Sequence, residues 1–227
     1  MEEISRRYLT FRRYMNYPEK TWHHENIHNR IDLEIRGQDH LEAALQSGCG
    51  AILLSGHAYG LNRLVGPVLS RRGYSMIRPG TVRPEELDGL RSDDSGDWTY
   101  VYLGADRWQR LRALKALGRA LNRNAVAHIL VIGQPQGDPR MSIQFCGQPL
   151  YLSSPTIDLL TLLQRPTLPF FALCDSNGKL IIEIQRPLPP DGLALAREFA
   201  KVYESYLCDA PEFVRFWRRF AKRLSYF

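Results

Sequence analysis

The chain is poor in cysteine and has no long apolar run, and both shortages exclude classes of protein. Its 227 residues include 4 cysteines, far apart and without Cys-x-x-Cys spacing: Cys49, Cys146, Cys174 and Cys208. Since most lie in apolar surroundings, we expect reduced core thiols rather than a disulfide framework or a zinc site. No apolar stretch approaches the roughly 18 residues of a membrane-spanning helix, and Glu2 and Glu3 follow Met1 in place of a secretory signal.

The signatures of several common chemistries are also missing. Neither a Walker loop nor a Gly-x-Gly-x-x-Gly fingerprint occurs, so nucleotide chemistry has no support. Ser55-Gly56-His57 lacks the Gly-x-Ser-x-Gly elbow of hydrolases. His23, His24 and His28 lie among polar residues without a carboxylate cluster, which favours a solvated segment over a metal site. No nucleic-acid-binding module accompanies the basic segments, and we expect no metal, no cofactor and no nucleic-acid partner.

Positive charge is in excess and is concentrated at the two ends. The chain has 30 Lys and Arg against 24 Asp and Glu, for a formal net charge of +6. Residues 6–15 and 213–223 interleave basic with aromatic side chains, which predicts two amphipathic helices. Such helices can lie on anionic lipid, although docked helices with solvated basic faces give the same pattern. We favour an anionic membrane surface as partner.

Hydrophobic periodicity predicts an α/β chain in which strands and helices alternate. The predicted strands cover residues 31–35, 51–55, 74–77, 99–103, 125–132, 141–145, 148–152, 167–174 and 179–185. The predicted helices cover residues 39–45, 61–69, 107–122, 154–163, 193–208 and 211–224. Leu111, Leu114, Leu117 and Leu121 recur at helical spacing on the strongly basic third helix.

These elements predict one domain over residues 1–227, with a mixed, mostly parallel sheet and helices on both faces. Within it, residues 1–30 are predicted to form an N-terminal amphipathic helix and lead-in, and residues 81–98 are predicted to form a polar surface loop. The turn formers of residues 133–140 predict a second loop. Pro79-Gly80 is expected to end the strand before it. Ser153-Ser154-Pro155 is typical of a helix start, with a serine at the cap.

Three motifs occur in a fixed order along the chain. Arg36-Gly37 leads through a helix to Gly48-Cys49-Gly50 and the run Ala-Ile-Leu-Leu-Ser-Gly-His that ends at His57. Phe145-Cys146-Gly147-Gln148-Pro149 precedes the Ser-Pro helix start, and Pro211-Glu212-Phe213 precedes an aromatic, arginine-rich helix. In this order, from about Tyr8 to Arg223, the chain resembles the bacterial lipid A biosynthesis acyltransferases, the lauroyl and myristoyl transferases of the lysophospholipid acyltransferase superfamily.

The resemblance implies transfer of a fatty acyl group from an acyl carrier protein or coenzyme A thioester to a hydroxyl of a lipid or glycolipid. In that family, the histidine of a His-x-x-x-x-Glu or His-x-x-x-x-Asp motif is the general base, and the carboxylate orients its ring. His57 matches the motif, but Asn62 stands in place of the acid. The family's Asp-Gln pair reads here as Gly133-Gln134, so a second acidic position is neutral.

Asn62 can replace part of the missing carboxylate's role. Its side-chain oxygen can accept a hydrogen bond from the imidazole Nδ1–H, yet it supplies no negative charge. Comparable changes in serine-protease triads cost roughly 10⁴-fold in rate. Because a thioester is a reactive acyl donor, slow transfer remains open. The alternative also remains open that His57 only makes structural hydrogen bonds at a strand end and has no catalytic role.

Four further residues are candidates for substrate binding. Arg78 follows a strand where related enzymes place a basic residue, although a surface arginine beside a turn fits equally. Gln134 and Arg140 can bind a phosphate or polarise an acyl carbonyl, and loop solvation explains them nearly as well. The amides at the helix start of Ser154 can stabilise an anion, though most helix starts bind nothing.

The resemblance leaves two questions open. Family members usually begin with an apolar helix, and this sequence starts after it, so the protein is a natural short form or an upstream segment is missing. The two neutral positions also admit a catalytically lapsed relative that binds acyl chains, acyl carrier protein or a partner enzyme. In either case we expect a cytoplasmic protein, peripheral to the inner face of the cytoplasmic membrane.

Overall fold

A computed structural model of the chain describes residues 32–56, 65–80, 98–103, 106–131, 133–134, 139–145, 147–175, 177 and 179–210. The strands are β1 Leu33–Arg36, β2 Ala51–Ser55, β3 Met76–Gly80, β4 Trp98–Tyr102, β5 Val126–Leu130, β6 Gly133–Gln134, β7 Ser142–Phe145, β8 Gln148–Leu152, β9 Thr167–Cys174 and β10 Leu180–Ile184. The helices are α1 Gln38–Leu45, α2 Val65–Arg71, α3 Arg107–Leu121, α4 Ser154–Leu163 and α5 Gly192–Asp209.

Seven strands form one mixed sheet in the order β1-β10-β9-β2-β5-β3-β4. Strands β9, β2, β5, β3 and β4 run parallel, while β10 is antiparallel to β9 and pairs in parallel with β1. All five residues of β2 are buried, as expected of a central parallel strand with both faces covered. The predicted α/β fold with a mostly parallel sheet and flanking helices is confirmed.

Helices cover both faces of this sheet. On one face, which we call the Phe171 face, the rings of Phe171 and Tyr206 stack 4.4 Å apart and so bring α5 against β9. The β2-α2-β3 and β4-α3-β5 connections cross the sheet in opposite directions, so right-handed crossovers place α2 and α3 on opposite faces. Since α3 shares a cavity with Ile77 and Val101 on the Phe171 face, α2 covers the other face.

A small antiparallel sheet, β6-β8-β7, follows β5. It was predicted only in part, because the β7–β8 hairpin was expected and residues 133–140 were expected to be loop. Gly133 and Gln134 instead pair with Leu152 and Tyr151 as strand β6, and Pro139–Met141 forms a 3-10 turn. The turn formers did not reveal a partner strand that lies near in space and farther along the chain.

Several other expectations need correction. Pro79-Gly80 lies within β3, where proline is tolerated because the ladder to β5 ends at Ile77. Cys208 is exposed and Cys49 half-buried, so of the described cysteines Cys174 alone is a core thiol. The predicted segments at residues 1–31, 57–64, 81–97 and 211–227 lie outside the described residues.

Candidate active site

The carboxyl end of β2 leads directly into the predicted catalytic residues. Ser55 is fully buried, and its carbonyl oxygen accepts a hydrogen bond of 2.9 Å from the amide of Val131, just past β5. The strand therefore stays paired up to the residue before Gly56. His57 and Asn62 both lie outside the described residues, and the structure describes the chain up to Gly56, directly before His57.

Gly56 is pressed against the ring of Tyr203 on α5. A Cβ at this position would approach ring atom Cε1 to 2.8 Å and Cζ still more closely, a separation that real Cβ atoms do not show. Only glycine fits between the end of β2 and this ring. The resemblance placed a glycine before the histidine, and the contact with Tyr203 gives the physical reason for it.

Tyr203 belongs to an aromatic cluster on the Phe171 face. Its ring stacks on Phe145 at 5.6 Å, on Phe199 at 5.7 Å and on Phe171 at 6.0 Å. Tyr206 extends the stack and donates a hydrogen bond of 3.1 Å to the carbonyl oxygen of Ala172. Because the cluster joins β7, β9 and α5, it holds the small sheet against the large sheet, and its Tyr203 ring abuts Gly56 at the end of β2.

Arg78 lies on β3 and is half-buried. The registers pair Leu53 with His128, and Met76 with Val126, so Arg78, His128 and Ser55 share the face opposite Phe171. The prediction of Arg78 as a substrate-binding residue stays untested. The sequence analysis placed Arg78 just after a strand that ends at Ile77; it instead lies within β3, the strand next but one to β2.

His128 is a buried histidine that the sequence analysis missed. It is 1% exposed, and neither ring nitrogen has a hydrogen-bond partner among the described residues. Its ring meets that of Phe170 edge to face at 4.9 Å. Burial, and secondarily the positive charge of Arg78, lower the pKa of His128 well below its ordinary value. A polar residue inside the apolar run of β5 was the available signal.

The small sheet gathers the other predicted binding residues at one end. Gln134 on β6 and Ser142 on β7 both pair with Tyr151 of β8, from opposite sides. Ser154 comes three residues after Tyr151, and Arg140, which is exposed, comes two before Ser142. Thus Gln134, Arg140 and Ser154, scattered in sequence, are brought to the same end of one sheet, and Gly133 follows Val131 by two residues.

The start of α4 agrees with the prediction in position and not in chemistry. Ser153 is the N-cap and proline stands in the first turn, as expected, but the Ser153 side chain caps no backbone amide. Its hydroxyl oxygen accepts a hydrogen bond of 3.2 Å from the hydroxyl of Thr156 instead. The first amides of α4 therefore have no side-chain acceptor from the cap.

A surface cavity of about 610 Å³ lies between α3 and the amino ends of β3 and β5, bordered by Ser75, Ala125 and Arg123. It lies at the edge of the sheet away from Ser55.

Within the described part of the chain, no group of three His, Cys, Asp or Glu side chains could hold a metal. None of the described helices has the length and apolar character that crossing a membrane requires.

Comparisons with known proteins add no relative. No protein-family model matches this chain, and no curated protein matches it in sequence. Function must therefore be argued from the residues and their placement.

Proposed function

We propose that this protein is an acyltransferase that moves a fatty acyl group from an acyl carrier protein or coenzyme A thioester to a hydroxyl of a lipid or glycolipid acceptor. One observation carries the proposal: Ser55, two residues before His57, ends a buried strand at the centre of a mixed, mostly parallel sheet, where the neighbours of that strand run parallel to it. Open α/β sheets bind ligands outside the carboxyl ends of such strands. The described elements that follow β2 and β5 lie on opposite faces of the sheet, since α2 covers one face and Phe145 of the small sheet stacks on Tyr203 on the Phe171 face.

Each predicted residue has a role in this reaction. His57 takes the proton of the acceptor hydroxyl as its oxygen attacks the thioester carbon, and the thiolate leaves. Asn62 orients the imidazole through its side-chain oxygen. Arg78 and Arg140 supply positive charge for anionic groups of donor or acceptor. In this proposal, Gln134 and the first amides of α4 at Ser154 polarise the acyl carbonyl.

The chemistry also implies partners and a location. The acyl thioester is a substrate, and no cofactor enters the reaction. Because a lipid acceptor stays in the bilayer, the enzyme works at a membrane surface, and we place it on the inner face of the cytoplasmic membrane.

Thiol release from an acyl thioester tests the proposal. We expect parent protein to release thiol from acyl carrier protein or coenzyme A thioesters faster when a lipid extract is added, because a lipid hydroxyl then takes the acyl group and the thiol is released. His57→Ala should abolish the acceptor-dependent rate. His40→Ala is the matched control, because His40 lies on α1 and contacts the carbonyl oxygen of Ile184. An acceptor-dependent rate equal in His57→Ala and parent protein would refute the mechanism.

A second function, binding without chemistry, is favoured by the two neutral positions, Asn62 and Gly133. A lapsed relative would retain the fold and hold an acyl chain, acyl carrier protein or a partner enzyme. Asn62→Glu separates the two functions. It should create or raise turnover in a lapsed scaffold with an intact pocket, and lower turnover in an enzyme adapted to asparagine.

A further inference from the structure

The solvent-facing side of α3 carries exposed apolar side chains in its first half and basic side chains along its whole length. Leu117 and Leu121 of its predicted apolar stripe are buried, but Leu111 and Leu114 are 45% and 37% exposed. Trp108, in the first turn, is 71% exposed. The core therefore takes only the second half of the stripe, and the first half, with Trp108, faces solvent.

Basic side chains surround these exposed apolar ones. The helix carries Arg107, Arg110, Arg112, Lys115 and Arg119 and has no Asp or Glu. Within the described residues, Arg107, Arg112 and Lys115 have no acidic partner. At helical spacing, Trp108, Arg112, Lys115 and Arg119 share one side of α3. Such a face attracts an anionic surface and disfavours a cationic one.

The direction of α3 places the exposed tryptophan near the candidate site. The helix follows β4, so Trp108 lies at the carboxyl edge of the sheet, the edge at which Ser55 ends β2. Its last turn lies at the opposite edge, where Asn122 accepts a hydrogen bond of 2.6 Å from Arg165. The apolar end of this helix face and the end of β2 that leads to the predicted catalytic residues thus lie at the same, carboxyl edge of the sheet.

We infer that the outer face of α3 docks on an anionic lipid surface, with Trp108 and Leu111 entering the headgroup layer and the basic side chains pairing with phosphates. A few exposed apolar residues within a cationic helix face are typical of interfacial helices. Preference for lipid over an acidic protein rests on the proposed function, because a lipid acceptor must reach the carboxyl edge where Trp108 lies.

Vesicle sedimentation of the full chain, without acyl donor, tests the inference. We expect binding to vesicles of phosphatidylglycerol and phosphatidylcholine, weaker binding in high salt, and little binding to phosphatidylcholine alone. Trp108→Ala with Leu111→Ala should weaken binding at least tenfold, as should Arg112→Glu with Lys115→Glu. Matched controls are Leu162→Ala, whose leucine is 79% exposed on α4, and Arg197→Glu, exposed on α5; both should bind like parent protein.

Three outcomes would overturn the inference: equal binding to neutral and anionic vesicles, α3 variants that bind like parent protein, or binding to acyl carrier protein with none to vesicles. Circular dichroism of each variant verifies folding. Failure of the proposed function is read separately, from transfer to a detergent-dispersed acceptor. There the α3 variants should match parent protein, and absence of transfer in all of them would reject the acyltransferase while leaving the docking surface intact.

Discussion

Burial holds His128 in its neutral form, which makes its protonation a probe of the folded core. The unfolded chain binds a proton at this residue near pH 6.5, the ordinary pKa of histidine, whereas burial lowers the pKa in the folded chain. Below about pH 6.5 the unfolded state therefore holds the extra proton, and stability falls as pH falls, by up to about 1.4 kcal/mol per pH unit.

His128→Leu should remove this pH dependence. It also removes two buried nitrogens that have no hydrogen-bond partner among the described residues, so its cost near neutral pH should be small or negative. We expect parent protein to lose more free energy of unfolding than His128→Leu between about pH 7.5 and 5.5, measured by urea denaturation. His40→Gln, at a half-buried histidine on α1, serves as control. If the free energy of unfolding changed equally with pH in parent protein and in His128→Leu, the imidazole would have the same pKa in the folded and unfolded chain, against this account.

Gly56 tests the contact that positions the entry to His57. Gly56→Ala places a methyl carbon within 2.8 Å of ring atoms of Tyr203, and overpacking of this kind costs roughly 1–3 kcal/mol. Acyl transfer should fall with it, since Gly56, the residue directly before His57, must shift. A Tyr203→Leu background should reduce the cost of Gly56→Ala, as a double-mutant cycle of urea denaturation would reveal.

Gly118→Ala is the matched control for that substitution. Gly118 lies within α3, and nothing stands within 4 Å of its would-be Cβ. Alanine should stabilise the protein there by about 0.5–1 kcal/mol. If both glycine substitutions changed stability equally, the contact with Tyr203 would not be the cause.

At the scale of the element, α3 and α4 both begin with a residue typical of an N-cap, but only one of these residues makes the capping hydrogen bond. The Asp106 carboxylate caps α3 by accepting a hydrogen bond of 2.8 Å from the amide of Gln109, whereas Ser153 makes no such bond to α4. Asp106→Ala should therefore cost about 1 kcal/mol, and Ser153→Ala no more than about 0.5 kcal/mol. Thermal unfolding of both variants measures the difference; equal losses would contradict the assigned caps.

Elements with a strong local signal were predictable from the sequence. β2 is an uninterrupted apolar run, and β9 and β10 flank a turn-forming segment, so each was placed within a residue or two. β6 could not be found in this way, since two residues form a strand only by pairing with β8. The exposed start of α3 was equally hidden, because helical spacing does not tell which leucines a neighbouring strand covers.

For the whole molecule, the chain order alone could not bring the site residues together. Gln134, Arg140 and Ser154 lie at the same end of the small sheet because β6 and β7 both pair with β8. Nothing local links them. The aromatic cluster around Tyr203 was likewise invisible in sequence, because its members come from β7, β9 and α5. His57 was singled out by its place after β2 and by the resemblance, and its role stays a prediction.

Mass spectrometry of lipid products tests the central claim most directly. Parent protein and His57→Ala would be incubated with acyl carrier protein thioesters and membrane lipids, and the lipids searched for molecules heavier by one acyl group. The account predicts a new acylated lipid that forms with parent protein and is absent with His57→Ala. An unchanged lipid profile with parent protein, despite retained binding of acyl carrier protein or lipid, would contradict it and favour the lapsed scaffold.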